Sequence, residues 1–269
     1  MGNYYGKLTT AIQFAASYIM TGRIRYDPFT QEEYWETISS SKKQVPIVPS
    51  SNGELNQPPT CPHLKIVMIS DTHSRLGELI AQGVIPDGDV LIHAGDITDN
   101  GEEDKLREFN GQIGSLPHTH KLVIPGNHEI GFDPDEDERQ RAFWIKGSGT
   151  RNGHLLFTNC TYLHTKSVVI DGVKFYGASW HPLPRFPFYR KREDLKEYWK
   201  AVPMDTDVVV THSPPLGYLD IFPPDERNGH TTFVNAGMVK DDSKGFNHPL
   251  IFYVPKKITT EEVTGPGAS

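Results

Sequence analysis

This chain of 269 residues is short of cysteine, of positive charge and of long apolar runs. Only Cys61 and Cys160 are present, too few for a disulfide framework, and neither sits in a Cys-x-x-Cys pair or a nucleophile motif. Both read as buried or incidental thiols of a reducing compartment, which puts the expected location in the cytoplasm. The formal net charge is −7, which argues against a wide nucleic-acid-binding face. The basic residues of Arg190–Lys200 are interspersed with acids and read as one solvated helix face. No apolar stretch reaches the ~20 residues that a membrane-spanning helix needs. Ile12–Met20 is too short, and with Lys7 alone ahead of it the segment makes a poor signal peptide. Met1-Gly2-Asn3 opens like a myristoylation signal, but Gly6 stands where Ser or Thr is required.

What remains is an ordinary soluble composition, 36% apolar and 23% charged, in a chain long enough for one large domain. Residues 1–62 read as an N-terminal extension and linker. Leu8–Ile19 has helical character, and Ser39–Pro62 is rich in Ser, Pro, Asn and Lys. The main domain is expected over 63–256, with a polar tail at 257–269. Leu64–Ser70, Asp89–Ala94 and Lys121–Ile124 are short apolar runs expected to be buried strands. Helices are expected over Arg75–Gln82, Glu102–Ile113 and Glu193–Lys200. Asp171-Gly172 between Ser167–Ile170 and Val173–Tyr176 is a hairpin signal. Asp207–Thr211, Thr231–Asn235 and Leu250–Val254 complete the expected strands. Parallel strands early and antiparallel strands late suggest two stacked sheets with helices outside.

Four short motifs carry the chemistry, each just behind an apolar run: Asp71-Thr72-His73, Gly95-Asp96, Gly126-Asn127-His128-Glu129 and Thr211-His212-Ser213. In sheets of this kind ligands gather at the carboxyl ends of the strands. Asp71 and His73, two residues apart in a tight turn, can face one ion. Asp96 arrives from the neighbouring strand, where a carboxylate can bridge two ions. Asn127 offers an amide oxygen to the second ion and His212 an imidazole. Mixed nitrogen and oxygen donors favour two divalent ions of Mn, Fe, Zn or Ni over Ca, and the lack of thiolates argues against a structural Zn site. Two such ions about 3.5–4 Å apart can hold a bridging hydroxide, polarise a phosphoryl oxygen and offset the developing charge. His128 is placed to protonate a leaving alkoxide, and Arg75 is near enough in sequence to contact a phosphate. Each motif alone is an ordinary turn; their order behind successive strands makes the set specific. His93, His164 and His181 lack partners at ligand spacing and read as packing residues.

These motifs resemble those of the calcineurin-like metallophosphoesterase family, over roughly Leu64 to Pro255. Ile69–Arg75, Tyr176–Trp180 and His212–Gly217 are similar to the subgroup of animal metallophosphoesterase-domain proteins expressed in brain. The resemblance implies a four-layer α/β/β/α sandwich of two mixed sheets and metal-dependent hydrolysis of phosphoesters, with a phosphodiesterase acting on phosphoester or cyclic-nucleotide substrates as the expected type. Carried over by motif, Asp71 and His73 bind the first metal, Asp96 bridges, Asn127 and His212 bind the second, and His128 is the catalytic acid.

The resemblance breaks after Asp220. Family members continue with a helix, a strand and Gly-His-x-His, whose first His completes the second metal and whose second completes the first. No Gly-His-x-His follows His212. Ile221–Asn228 is short and Pro-rich, Thr231–Ala236 already resembles the strand beyond the missing motif, and Thr232 stands where the second His belongs. Gly229-His230 is the only trace, so His230 is either an added ligand or a turn histidine. Each ion would lose one imidazole, and one late strand would leave the second sheet, exposing an edge or an apolar patch. The alternative to an active hydrolase is therefore an impaired relative: a non-catalytic nucleotide- or partner-binding protein, or a truncated product.

Overall fold

A computed structural model of the chain describes residues 50–213 except residue 142, together with 236–238 and 245–257. The expected helix at Leu8–Ile19, the expected strand at Thr231–Asn235 and His230 lie outside the described residues. Apart from Gly245 and Phe246, the described residues all fall in one compact unit.

Among the described residues there are eight strands and three α-helices, and all but one two-residue strand lie in the expected places, with boundaries shifted by a residue or two. They are β1 (His63–Ile69), α1 (Leu76–Ala81), β2 (Val90–His93), α2 (Glu103–Ser115) and β3 (His120–Val123). Then come β4 (Thr161–Tyr162), β5 (Lys166–Ile170), β6 (Val173–Ala178), α3 (Arg192–Trp199), β7 (Val208–Thr211) and β8 (Leu250–Pro255). The five-stranded sheet has the order β4-β3-β2-β1-β8 and the three-stranded sheet the order β5-β6-β7. Two mixed sheets with helices are thus present, as expected.

The grouping of strands differs from a simple early and late division. β8, last in the chain, returns to the first sheet and lies antiparallel to β1, while β7 runs parallel to β6. The reason is visible at β1. Its residues Leu64 and Ile66 face the shared core while Val67 and Ile69 face away, and all four are buried. A strand apolar on both faces belongs in the middle of a sheet, and β8 covers its open side. β8 is in turn flanked by residues 53–56, inside the stretch read as linker. The Leu55 N–H donates to Ile251 O at 2.8 Å and the Ile251 N–H to Gly53 O at 3.0 Å.

The two sheets pack face to face through one cluster. Leu64, Ile66, Val90, Ile92, Leu122 and Ile124 come from the first sheet, and Ile170, Val173, Phe175 and Val210 from the second. Residues on one face of each strand recur at every second position, so the alternation in sequence sets which side chains enter this layer. Among the described residues β7 pairs with β6 alone, and Val209 on it is 45% exposed.

Register brings the motifs together. Ile69 pairs with His93 and His93 with Val123, so β1, β2 and β3 end level with one another. The turns carrying Asp71, Asp96 and Asn127 therefore leave the same edge side by side. Thr211 pairs with Ala178 at the end of β7, and His212 follows directly.

Candidate metal centre

Beyond the strand ends the backbone is forced into conformations that L-residues avoid. Asp71, His73, Ser74 and Asp96 have φ of 54°, 43°, 61° and 53°. Non-glycine residues hold such angles only when their surroundings over-determine them. Here the two loops are laced together. The Asp71 N–H donates to Gly95 O at 2.9 Å, that of His73 to Asp96 O at 3.1 Å, and that of Ser74 to Ile97 O at 2.8 Å. The side chains of Asp71, His73 and Asp96 are thereby pointed at one another.

Asp96 is the hub. Its carboxylate is buried, with 3% of the residue exposed. Oδ1 accepts the His128 N–H at 3.0 Å and lies 3.3 Å from His212 Nε2. Oδ2 lies 3.7 Å from His73 Nε2 and 4.0 Å from His128 Nε2. Two sets of donor atoms lie within 4.8 Å of one another, Asp71/Asp96/His212 and His73/Asp96/His128, and Asp96 belongs to both. Asn127 joins the first set, its Oδ1 lying 3.1 Å from His212 Nε2. Asp71 shares its set with His212 and His73 shares its set with His128, while Asp71 and His73 also feel each other's charge.

The donor chemistry tests whether cations fit. His212 Nδ1 donates to Ala94 O at 2.9 Å, so a neutral ring presents the Nε2 lone pair. That lone pair faces two further acceptors, Asn127 Oδ1 and Asp96 Oδ1. Three acceptors at such separations repel one another unless positive charge lies among them. A proton on Nε2 is one solution, and a divalent cation is the other. Residue types and spacing suit the second, with nitrogen and oxygen donors and no thiolate.

Titration follows the same logic. Burial opposes charge on His212, but the facing Asp96 carboxylate pushes it up to about 10. Burial likewise opposes charge on His73, while Asp99, Asp96 and Asp71 push it up to about 9. Burial would raise Asp96, yet the imidazoles of His212, His128 and His73 hold it well below the usual carboxylate range. Burial raises Asp71, with the like charge of Asp96 adding to it.

Three residues that sequence reasoning did not single out shape the site. Asp99 serves both rings: its Oδ1 lies 3.4 Å from His73 Nδ1, and its carbonyl accepts from His128 Nδ1 at 2.6 Å. Both imidazoles therefore turn Nε2 towards Asp96. Glu129 is fully buried behind Asp96 and accepts from the backbone of two loops. Phe186 stands 6.1 Å from His128, ring centroid to ring centroid. The loop carrying Phe186 is closed by the Arg190 N–H donating to His181 O at 2.9 Å. Buried Asp133 anchors it, accepting the Phe188 N–H at 2.6 Å and Arg190 Nη1 at 3.0 Å. The spacing Gly-Asp-x-x-Asp and the acid closing Gly-Asn-His-Glu were the available signals for Asp99 and Glu129. Nothing local in sequence marks Phe186.

Arg75 forms a bidentate pair with Glu78, at 2.9 Å from both Nε and Nη2. His93, His164 and His181 are packed as expected. Burial pushes His93 down to about 3, and His164 and His181 to about 4. Cys160 is half-buried, and burial raises its thiol to about 12, which leaves it unreactive.

His181 gives a test of this packing. Its Nε2–H donates to Pro187 O at 2.8 Å, and its Nδ1 accepts the Leu183 N–H at 3.1 Å, so both bonds need the neutral ring. A folded value near 4 against an unfolded 6.5 means that the unfolded chain binds the extra proton first. The stability it contributes is present above pH 6.5 and is lost as pH falls towards 4. A His181→Gln chain keeps a donor and an acceptor without titrating. Its stability, measured by urea denaturation at pH 8 and pH 5, should fall by about 2 kcal/mol less than that of the wild type. Parallel losses in both chains would refute the assignment.

Comparison with known proteins agrees with this geometry. The calcineurin-like phosphoesterase family model matches residues 64–237. The chain is 43% identical to a UPF0046 protein of Caenorhabditis elegans over 286 aligned positions, covering 94% of this chain and 97% of the relative. A second UPF0046 protein of that organism is 38% identical, over 71% of this chain and 81% of the relative. Metallophosphoesterase domain-containing protein 1 of Homo sapiens is 34% identical over 240 positions, with 78% and 71% covered. The 286-position alignment takes in 94% of 269 residues, about 253, so the first relative carries about 33 positions without a counterpart here. The human relative carries about 30, from 240 positions against 78% of the chain, about 210 residues.

Proposed function

The chain belongs to the calcineurin-like phosphoesterase family, and from that premise we propose that it is a metal-dependent phosphoester hydrolase of the phosphodiesterase type. The carrying observation is the convergence of acceptors on Asp96, shared by Asp71, His212 and Asn127 on one side and His73 and His128 on the other. When bound, two divalent cations would polarise a phosphoryl group, acidify a water nucleophile and offset charge on the departing oxygen. Asp71, Asp96, Asn127 and His212 would hold one cation, and His73 with Asp96 the other. His128 is the proton donor in this reading. Its Nδ1–H is spent on the Asp99 carbonyl, so Nε2 is the atom left to pass a proton to a leaving alkoxide. Phe186 offers an apolar wall beside that ring, suited to the organic part of a small phosphodiester. The net charge of −7 favours small substrates such as cyclic nucleotides over polymeric nucleic acid. Two free cysteines fit a cytoplasmic setting, and no helix among the described residues is long and apolar enough to cross a membrane.

The test is hydrolysis of bis-p-nitrophenyl phosphate by the full chain with added Mn²⁺. Turnover that requires Mn²⁺ and exceeds that on p-nitrophenyl phosphate is expected. A rate no greater than that of chelator-treated protein would overturn the proposal. A second reading, an impaired relative that binds nucleotides or partners, is favoured by the lack of a Gly-His-x-His after His212. Mn²⁺ bound tightly by a chain without turnover would select it.

A further inference from the structure

Glu129 has no part in the chemistry above, yet it is fully buried and accepts five hydrogen bonds. Oε2 accepts the N–H of Asp96 at 3.0 Å and of Gly126 at 2.6 Å. Oε1 accepts the N–H of Ile97 at 2.9 Å and of Thr98 at 3.0 Å, with the Thr98 hydroxyl at 3.3 Å. Resting on the reading of the site as a metal centre, we propose that Glu129 is its positioning residue: the carboxylate sets the distance between the loop that carries Asp96 and the loop that carries Asn127.

Backbone pairing cannot do this. β2 and β3 are in register only as far as His93 and Val123. Past those residues the chains leave the sheet, and no ladder bond joins Asp96 to Asn127. His128 joins the loops through its N–H on Asp96 Oδ1 and its Nδ1 on the Asp99 carbonyl, and Glu129 Oε2 alone grips a backbone amide of each, that of Asp96 and that of Gly126. Oε1 then fixes the backbone that follows Asp96 and so orients its side chain.

Burying a second carboxylate close to Asp96 is costly, because the two like charges repel and neither is solvated. Five donors offset part of that cost, while burial and the Asp96 charge still push the Glu129 carboxyl up. All four backbone N–H groups need pure acceptors. Both oxygens of Glu129 meet that need. Glutamine does not, since its NH₂ would confront either the amides of Asp96 and Gly126 or those of Ile97 and Thr98. Aspartate keeps the charge but retracts it by one methylene, too far to grip both loops.

The experiment measures Mn²⁺ affinity of the full-length chain by calorimetry for wild type, Glu129→Gln and Glu129→Asp, at a temperature where circular dichroism shows each variant folded. Affinity should fall roughly 10–100-fold for Glu129→Gln and by a smaller factor for Glu129→Asp. A purely structural role would lower the melting temperature and leave affinity unmoved, so folded variants that bind Mn²⁺ as the wild type does overturn the proposal. Should both variants fail to fold, amide exchange in the wild type decides. Slower exchange at Gly126, Asp96, Ile97 and Thr98 on Mn²⁺ addition supports a link between Glu129 and the cations, and unchanged exchange refutes it. A wild type that takes up no Mn²⁺ sinks the metal-centre reading and this role together; a wild type that binds beside unaffected variants sinks only this role.

Discussion

Asp96→Asn should give a folded chain that hydrolyses a phosphodiester roughly a thousandfold more slowly at saturating Mn²⁺ than the wild type. The substitution is nearly isosteric. The amide oxygen can still accept the His128 N–H that Oδ1 accepts at 3.0 Å, so the turn is not expected to collapse. What disappears is the single negative charge common to both donor sets. One neutral oxygen cannot serve two cations, and several kcal/mol of charge stabilisation in the transition state goes with it. The Asn nitrogen would also bring N–H groups to where Oδ2 now lies 3.7 Å from His73 Nε2. Turnover measured against Mn²⁺ concentration separates the outcomes. A fall that added Mn²⁺ repairs fully would assign Asp96 to binding alone, and a wild-type rate would remove it from the site.

Gly126→Ala should cost at least about a hundredfold in Mn²⁺ affinity and destabilise the fold by a few kcal/mol. A methyl group at this position would fall well inside contact with Asp96 Oδ1 and with the Asp96 backbone nitrogen. It would also lie 2.8 Å from His212 Cε1. None of these atoms can step aside cheaply. Asp96 is held through its N–H by Glu129, and His212 through Nδ1 by the Ala94 carbonyl. The methyl must therefore push apart two ligands that the cations need close together. Gly111, in the middle of α2, has nothing within 4 Å of the same hypothetical atom and makes the matched control. Calorimetry and thermal melts on both variants test the claim. If Gly126→Ala binds as Gly111→Ala does, the crowding inferred around Asp96 is wrong.

How much of this was legible in sequence depended on how local the cause was. β1, β2, β3 and the β5–β6 hairpin were readable because apolar runs and Asp171-Gly172 act over a few residues. The order of motifs behind those strands brought Asp71, His73, Asp96, Asn127 and His212 into view, and the structure gathers the other four around the Asp96 carboxylate. Non-local facts stayed hidden. β4, two residues long, exists only through its pairing with β3. The return of β8 to β1 depends on which open edge needs cover. The approach of His73 to His128, 4.8 Å between ring centroids, joins two loops that lie 55 residues apart in sequence. Glu129 looked like the tail of a motif, because an acid after Asn-His is ordinarily solvated. Only the burial and the convergence of four backbone amides reveal its place.

The left-handed conformations at Asp71, His73, Ser74 and Asp96 carry an evolutionary consequence. Each obliges an L-residue to occupy a region that glycine enters freely, at a cost of roughly 1–3 kcal/mol apiece. A lineage released from selection for cation binding would gain stability by letting these positions drift to glycine or asparagine. This chain has Asp, His, Ser and Asp there, and three of these four positions, Asp71, His73 and Asp96, carry donor atoms that glycine would lack, so the backbone strain is the cost of placing those donors.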